Sequence, residues 1–234
     1  MCGRIVRSSP AEVLRAEFGA EPPADLRPSW NVCPGTDVLA VIRAEDGTRR
    51  MGWLRWGFVP SFASDPGATP RAINARAETV AIRPAFRHAF RRQRCLVVAD
   101  GFYEWQHAGT TKTPYFVRLR SGRPMALAGL WDRWQPPASA AGAETRRPPL
   151  YTCVIVTCAA NALVARLHDR MPVILDAAAR ERWLDPACAN PGALLVPCPA
   201  DELEAWPVSR RVNSPRNDGP ELLAPVRIAG GARG

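Results

Sequence analysis

The chain has 234 residues, of which 47% are hydrophobic, a length and composition that fit one large globular domain or two small ones. No apolar run approaches the roughly 20 residues of a membrane span, and the start lacks the pattern of a secretory signal, so we expect a soluble, cytoplasmic protein. The net charge of +9 favours a polyanionic partner, nucleic acid being the commonest, although solubility alone would also account for it.

Arginine supplies nearly all of the positive charge, because Lys112 is the only lysine among the 31 basic side chains. A guanidinium binds phosphate through a planar fork of donors and also stacks on bases, so this bias agrees with a nucleic-acid partner. It leaves Lys112 as the only lysine amine available for chemistry, with the N-terminal amine as its main competitor.

The seven cysteines predict neither a disulfide framework nor a metal site. Their number is odd, and no secretory signal precedes them. The closest pair, Cys153 and Cys158, has no second pair or suitably placed histidine to complete a zinc site. We therefore expect no metal and no cofactor, and six cysteines that act as small buried apolar side chains: Cys33, Cys95, Cys153, Cys158, Cys188 and Cys198.

The N-terminal part of the chain predicts one helix and one hairpin. An amphipathic segment at 11–18 follows Ser8-Ser9-Pro10, which predicts a helix with a serine cap and proline in its first turn. Two strand-like segments, 38–44 and 49–58, surround the turn residues "EDGT" and predict a β-hairpin.

The middle of the chain passes from irregular structure to strands. Residues 60–76 are rich in turn formers, and residues 77–90 read as partly helical with an interruption at Pro84. Residues 94–106 are strand-like, and residues 107–113 predict a turn before the next strand.

The rest of the chain predicts three more strands, two short helices and two irregular segments. The strands are expected at 114–119, 125–132 and 150–157, and the helices at 161–168 and 177–184. The proline- and alanine-rich residues 135–149 predict a mobile surface insertion, and residues 227–234 a disordered tail. Because strands outnumber helices and mostly follow one another without helical crossovers, we expect an α+β fold. It would be one domain, residues 1–226, with a largely antiparallel sheet or distorted barrel flanked by short helices.

Cys2 lies directly after a methionine that cells often remove. Removal of Met1 would leave a thiol and a free α-amine on one residue, with reference pKa values of about 8.5 and about 8. Such a 1,2-aminothiol condenses with an aldehyde to an imine and then closes to a thiazolidine ring. The same terminus would also serve as an N-terminal nucleophile that uses its own amine as base. Taken alone, however, the dipeptide "MC" favours the other interpretation, in which Cys2 is an arbitrary small residue in a frayed terminus.

Three further stretches carry polar groups suited to chemistry. In "ADGFYEWQ", Asp100 and Glu104 are expected on the same strand face as Phe102, with Tyr103 and Trp105 opposite, and a carboxylate beside aromatic rings acts as acid or base. The alternative is a surface carboxylate on a half-buried strand.

In "RAINARAET", Asn74 stands between Arg71 and Arg76, a set suited to a sugar hydroxyl and phosphates, or else Asn74 caps a helix. His168, beside Asp169 and Arg170 at an element junction, is a catalytic candidate or a structural hydrogen-bonding residue.

The following short motifs occur in this order along the chain: "MCGR", "WNVCPGT", "GWLRWGFVP", "RAINARAET", "CLVVADGFYEW", "HDRMPVIL" and "WPVSRRVN". Together they resemble the SRAP (SOS response-associated peptidase) family, whose members process abasic sites in single-stranded DNA. The resemblance runs from residue 2 to about residue 226 and implies the SRAP fold.

The resemblance implies that Cys2, after Met1 removal, forms a thiazolidine with the ring-opened aldehyde of an abasic site, a crosslink that protects the lesion. Asn74 matches the residue that positions Cys2 and the sugar, and Glu104 matches the one that assists ring opening and proton transfer. His168 matches the histidine that contacts the opened sugar and helps crosslink reversal. The resemblance also implies a β-elimination lyase activity and a peptidase activity, with removal of the protein's own Met1 as one candidate reaction for the latter.

The partner implied is single-stranded DNA with abasic sites, bound by a monomer that acts at the nucleoid without membrane or metal. The residues expected to contact DNA or line the site are Arg4, Asn31, Arg71, Arg76, Arg170, Phe62 and Trp105. Aromatic side chains such as Phe62 would wedge or stack beside bases. After "GWLRWGFVP" the chain continues "SFASDPGATP", where relatives often have further aromatics, so the strand-separating surface is expected to differ.

Two other classes of function remain open from the residues alone. A glutamine-hydrolysing amidotransferase domain also begins with cysteine after Met1, but the further glutamine-binding motifs are not found in this sequence. A non-covalent single-strand binder would account for the charge and the aromatic side chains, and would bind intact and abasic DNA equally.

Overall fold

The computed structural model describes residues 2–65, 67, 71–135 and 148–227. These residues contain thirteen strands and three α-helices. In chain order the strands are β1 (Ile5–Arg7), β2 (Ser29–Val32), β3 (Asp37–Arg43), β4 (Arg49–Trp56), β5 (Asn74–Arg76), β6 (Arg94–Ala99), β7 (Gly101–Ala108), β8 (Thr111–Leu119), β9 (Met125–Trp134), β10 (Leu150–Ala159), β11 (Arg170–Pro172), β12 (Ile174–Leu175) and β13 (Leu203–Pro207). The helices are α1 (Ala11–Phe18), α2 (Arg87–Arg92) and α3 (Ala177–Leu184). The predicted α+β class is confirmed.

Five of the strands close into a barrel. β3 lies between β4 and β6, β6 pairs with β9, and β9 pairs with β10, all antiparallel. β10 then meets β4 in parallel, with Thr152 opposite Arg55 and Cys153 opposite Trp56. Gly129 on β9 allows the tight interior, because a Cβ there would stand 2.8 Å from Cys95 Sγ. The closed ring surrounds most of the main hydrophobic core.

β10 continues beyond the barrel and there exchanges its partners on both edges. On one edge β5 replaces β4 and runs parallel to β10, so that Asn74 lies opposite Ile155. On the other edge β11 replaces β9, so that Arg170 lies opposite Ala159. The far end of β10 therefore brings together two segments that the sequence analysis selected separately.

The second sheet has the order β13-β8-β7-β1-β2 and is antiparallel throughout. One of its faces packs on the main core through Ile5 and Phe102, and the other packs on a smaller cluster through Val6 and Tyr103. This confirms the alternation predicted for Phe102 and Tyr103. Strand β7 therefore has a buried face on either side.

The predicted serine cap of α1 is wrong. The helix begins at Ala11 after Pro10 and has no side-chain cap. The amide of Ser9 donates to Asp100 Oδ2 at 2.9 Å, and the hydroxyls of Ser8 and Ser9 also bind this carboxylate. Because Asp100 lies between β6 and β7 and β7 begins only at Gly101, its predicted place on the Glu104 strand face is wrong as well.

Other predicted elements differ mainly in extent. The hairpin of β3 and β4 is confirmed, and α3 follows an Asp176 cap, whose Oδ1 accepts from the Ala179 amide at 2.7 Å. The turn predicted at 107–113 is shorter, because β7 extends to Ala108 and β8 already begins at Thr111. The predicted helix at 161–168 is one 3-10 turn, Val164–Arg166.

Two predicted irregular segments fall largely outside the described residues. Residues 136–147 of the predicted insertion and residues 228–234 of the predicted tail belong to this undescribed part. In the ranges that the structure does describe, no helix combines the length and apolar character needed to cross a bilayer.

Candidate functional site

Cys2 lies directly before β1, where the barrel core meets the second sheet. Its side chain is fully buried and belongs to the main core. Burial raises the pKa of the Cys2 thiol well above its usual range, and the nearby negative charge of Glu104 raises it further. In the chain that retains Met1 the nitrogen of Cys2 is an amide, so this form holds a neutral, shielded thiol and no free amine at residue 2.

Asn74 makes direct contact with Cys2. Its Nδ2 donates to the Cys2 carbonyl oxygen at 2.8 Å, although the two residues are 72 positions apart. Asn74 begins strand β5, so the alternative prediction that it caps a helix is wrong. Its Oδ1 is buried and has no hydrogen-bond partner among the described residues, which leaves an acceptor at the site.

Glu104 projects from β7 toward the main-core side of the second sheet. The residue is 2% exposed and shares a strand face with Phe102. Its charge acts on the Cys2 thiol, as the raised thiol pKa shows. A buried carboxylate next to a thiol and an amide is placed to accept or return a proton.

The segment that carries His168 is attached to β7, the strand that carries Glu104. Gln106, two residues after Glu104 on β7, donates from Nε2 to the Arg166 carbonyl at 3.2 Å, which ties the His168 segment to β7. The Nδ1 of His168 lies 2.7 Å from Asp169 Oδ1 and accepts from the Arg170 amide at 3.0 Å. These contacts orient the half-buried ring from one side.

Arg4 and Asn31 fasten the C-terminal part of the chain to the start of the chain. Arg4 Nη1 donates to Asn31 Oδ1 at 2.6 Å and to the Val212 carbonyl at 2.7 Å. Buried Asn31 donates from Nδ2 to the carbonyls of Ser214 (3.0 Å) and Asn217 (2.6 Å). We call this set, Arg4 and Asn31 with residues 212–217, the terminal clamp. Both side chains therefore hold residues 212–217 against the start of the chain, and their expected places in the site lining and in DNA contact stay predictions.

Trp105 extends the terminal clamp on the outer face of β7. Its Nε1 donates to Asn213 Oδ1 at 2.9 Å, and its ring packs partly on the smaller cluster. A role in stacking on DNA stays a prediction, because part of this ring already serves packing.

The two arginines nearest to Asn74 differ in their partners. Arg76 is exposed on β5, two residues after Asn74, and so lies on the same side of the strand. Arg170 instead forms a bidentate ion pair with Glu78, with Nη1–Oε1 2.6 Å and Nη2–Oε2 2.9 Å, and also donates to the Thr157 carbonyl. Hydrogen bonds from Arg170 lower the Glu78 pKa despite the cost of desolvation. No local pattern in the sequence indicates the role of Glu78, which lies 92 positions from its partner.

Arg71 and Phe62 are the last two of the residues predicted to contact DNA. Arg71 is exposed, and a Cβ at Gly57 would stand 3.4 Å from its own Cβ. Gly57 has φ +143°, which other residues rarely adopt, so a side chain there would strain the backbone, although the space beside Arg71 would admit a Cβ. Phe62 is 67% exposed, next to Ser61, whose amide donates to Asp132 Oδ2 at 2.8 Å. Both residues are accessible to a ligand.

The expectation that no metal is bound stays a prediction. Over the ranges that the structure covers, no group of three or more His, Cys, Asp or Glu side chains is arranged to hold an ion.

Comparison with known proteins identifies the family. The family model described as "SOS response associated peptidase (SRAP)" matches residues 1–215. The chain belongs to the SRAP family. One relative is the abasic site processing protein YoqW of Bacillus subtilis, which is 39% identical over 230 residues, 95% of this chain and 99% of that protein.

More distant SRAP relatives keep the same description. The abasic site processing protein YedK of Escherichia coli is 30% identical, with 97% of this chain and 100% of that protein covered. The abasic site processing protein HMCES of Gallus gallus is 35% identical, with 86% of this chain and 67% of that protein covered.

Solved structures share the SRAP architecture of the chain. A protein from Bacteroides thetaiotaomicron superposes with a TM-score of 0.84 at 23% identity, covering 97% of this chain and all of that one, which shows a common fold. A protein from Bordetella bronchiseptica gives a TM-score of 0.76 at 27% identity, with 89% and 100% covered.

Proposed function

We propose that this SRAP protein processes abasic sites in single-stranded DNA, and that Cys2 becomes covalently joined to the lesion once Met1 is removed. The observation that carries the proposal is the contact between Asn74 and the Cys2 carbonyl at 2.8 Å, with Glu104 close enough to act on the Cys2 thiol. The names of the relatives, abasic site processing proteins, support the substrate class.

The proposed reaction forms two bonds to one carbon. The α-amine of Cys2 attacks C1′ of the ring-opened deoxyribose, and the aldehyde oxygen leaves as water to give an imine. The Cys2 sulfur then adds to the imine carbon, and its proton passes to the nitrogen. A C–N and a C–S bond replace the C=O bond, and the product is a thiazolidine ring.

Each polar group of the site has a separate role in this proposal. Asn74 holds the Cys2 main chain and offers Oδ1 to a sugar hydroxyl. Glu104 takes the thiol proton and returns it during ring opening and closure, and His168 contacts the opened sugar. The phosphates on either side lie against Arg76, which is exposed, and against Arg170, which Glu78 orients.

The same groups support β-elimination as a minor activity. An imine at C1′ acidifies the C2′ proton, and a carboxylate within reach removes it, after which the 3′ phosphate leaves. Ring closure by the sulfur competes with this step, because it consumes the imine. Cys2→Ser, which keeps the amine and loses the sulfur, is therefore expected to shift the balance from crosslink to strand cleavage.

A denaturing gel with single-stranded DNA that carries one abasic site tests the proposal. We expect a shifted band with the parent protein, no band with Cys2→Ala, and an unchanged band with Lys112→Arg and with the matched control Cys188→Ala, a half-buried loop cysteine. Intact mass should show that the reactive protein lacks Met1 and that the crosslink has lost one water.

Three outcomes would overturn this proposal. An equal band with Cys2→Ala would assign the crosslink to another group. Equal binding of intact and abasic DNA with no covalent product would favour a non-covalent single-strand binder, and release of ammonia from glutamine would favour an amidotransferase.

A further inference from the structure

The barrel opens into a groove at the end away from Asn74. We call it the barrel-mouth groove; it has a volume of about 1110 Å³, and its walls include Arg43, Arg50, Gln93, Trp131, Arg133 and Tyr151. Tyr151 lies near the start of β10, and Asn74 lies beside Ile155, four residues further along that strand. At about 3.3 Å per residue the groove is thus about 13 Å along β10 from the level of Asn74.

Two aromatic rings form a platform in the barrel-mouth groove. Trp131 and Tyr151 stack with their centroids 6.3 Å apart and their planes at 29°. The Arg133 guanidinium lies over the Tyr151 ring, 5.9 Å from its centroid. Tyr151 is 41% exposed, so much of this large apolar side chain faces solvent. A stacked aromatic pair with an arginine above it matches the chemistry that binds a nucleobase.

The polar groups of the groove complement such a ligand. Arg50 is neutralised by Asp46 at 3.0 Å, whereas Arg92 and Arg133 form no ion pair with any carboxylate in the described ranges. The Nε of Arg43 and the Oε1 of Gln93 are buried without a hydrogen-bond partner among those same residues. These two atoms are closed to solvent, so the groups of the wall that can meet a phosphate are the guanidinium groups of Arg92 and Arg133.

Exposed arginines connect the candidate site with the groove. Between positions 76 and 92 the chain carries five exposed arginines, which we call the arginine track: Arg76, Arg83, Arg87, Arg91 and Arg92. The only carboxylate in this stretch is Glu78, and Arg170 already occupies it. Arg87 and Arg91 are four residues apart on α2 and so share one helix face. The track begins beside Asn74 and ends in the wall of the groove.

We propose that the barrel-mouth groove is a second binding site for single-stranded nucleic acid. One base stacks on Tyr151 and Trp131 under Arg133, and the phosphates that lead to it follow the arginine track. The site binds intact strand without covalent chemistry, so it does not depend on Cys2 or on a lesion. It adds a second point of attachment to a protein whose proposed chemistry acts on one nucleotide.

Equilibrium binding of a lesion-free oligothymidylate of about 20 nucleotides, followed by fluorescence anisotropy, tests this inference. Tyr151→Ala should weaken binding roughly fivefold or more, the loss expected for one base–aromatic stack, and Tyr151→Phe should restore it. Arg118→Ala is the matched control for Arg133→Ala, because Arg118 also lies over a ring, that of Trp206, but in the other sheet. We expect weaker binding with Arg133→Ala only.

The salt dependence of binding tests the arginine track separately. Replacing both Arg87 and Arg91 with serine should flatten the plot of log affinity against log salt by about 1.4, since each phosphate contact with a single strand contributes about 0.7. Unchanged affinity with Tyr151→Ala, or an unchanged slope with the double variant, would overturn the inference. Loss of dTMP binding in Tyr151→Ala with unchanged oligonucleotide affinity would overturn it too, because the groove would then hold a free nucleotide only.

These results separate the groove from the abasic-site chemistry. Cys2→Ala should bind the lesion-free oligonucleotide as the parent does. If the parent protein crosslinks abasic DNA but Tyr151→Ala does not change the affinity for the lesion-free oligonucleotide, the proposed function would stand and the second site would be refuted.

Discussion

The side chain of Asn74 binds the main-chain carbonyl of Cys2, the residue at which the proposed chemistry takes place. The single hydrogen bond to Cys2 fixes the peptide that carries the nucleophile, so that the amine and the sulfur are presented together. The remaining acceptor on Oδ1 stays available for the substrate. One amide thus donates to the Cys2 carbonyl and, in the proposed reaction, accepts from the ligand, which an ionised carboxylate cannot do because it has no donor.

Asn74→Asp should slow crosslinking about tenfold or more, because loss of a buried hydrogen bond costs about 1–3 kcal/mol and the carboxylate would face the Cys2 carbonyl oxygen. The rate of band formation on denaturing gels measures this. Asn213→Asp is the matched control, since Asn213 uses its oxygen as acceptor for Trp105 and an aspartate keeps that bond. Equal rates for Asn74→Asp and the parent would contradict the role given to the amide.

Residue types identified most of the candidate site, but not its contacts. Cys2, Asn74 and Glu104 were predicted from their chemistry and from the family resemblance. The pairing of Arg170 with Glu78, and the capture of residues 212–217 by Arg4 and Asn31, join positions 92 and up to 208 apart. No local pattern encodes such contacts, because they depend on how β10 and the terminal segments are arranged in space.

At the level of elements, the break between β6 and β7 determines where the two sheets separate. The sequence reads as one long strand there, yet Asp100 interrupts it and turns its carboxylate to Ser8 and Ser9. This contact attaches the connection between β1 and α1 to the junction of the sheets. Local propensity does not distinguish one bent strand from two strands in different sheets, so the prediction failed at this point.

Asp100→Ala should lower the free energy of unfolding by about 1–3 kcal/mol, because it leaves the partly buried donors of the Ser8–Ser9 segment without their charged acceptor. Urea denaturation measures the change. Asp46→Ala is a suitable comparison, since Asp46 also accepts from an amide and a hydroxyl, those of Thr48, but in an exposed hairpin turn. A loss for Asp100→Ala no larger than that for Asp46→Ala would show that the junction does not depend on this carboxylate.

For the whole molecule, hydrophobic alternation was enough to predict the α+β class and most strands. It was not enough to predict that β10 pairs in parallel with β4 and β5, which closes the barrel and places Asn74. Parallel pairing requires a long connection, and its register is not written in either strand alone. The arrangement of the site was therefore harder to predict than its residues.

Buried thiols should make the stability of the whole fold depend on pH. Burial raises the pKa of Cys158 to about 11 and of Cys198 to about 12, and raises those of Cys95 and Cys153 further. The folded thiols stay neutral while unfolded ones ionise above about pH 8.5, so this contribution to stability is complete below that pH and is lost as pH rises toward the folded-state values.

Urea denaturation in reducing buffer should show the free energy of unfolding falling between about pH 8 and about pH 10, by up to about 1.4 kcal/mol per pH unit for each thiol. Cys95→Ala, which removes one such group from the barrel interior, should make this fall shallower. A pH dependence that is identical in Cys95→Ala would contradict the assignment to buried thiols.

The terminal clamp has a consequence for biosynthesis. A ribosome makes the chain from its first residue, so Arg4 and Asn31 emerge long before the carbonyl of Val212 exists. The terminal clamp is therefore complete only when nearly all 234 residues have been translated. A nascent or truncated chain that ends before residue 212 thus has Arg4 and Asn31 without the carbonyl groups that they bind, and the order of synthesis leaves the start of the chain unfastened until residues 212–217 have been made.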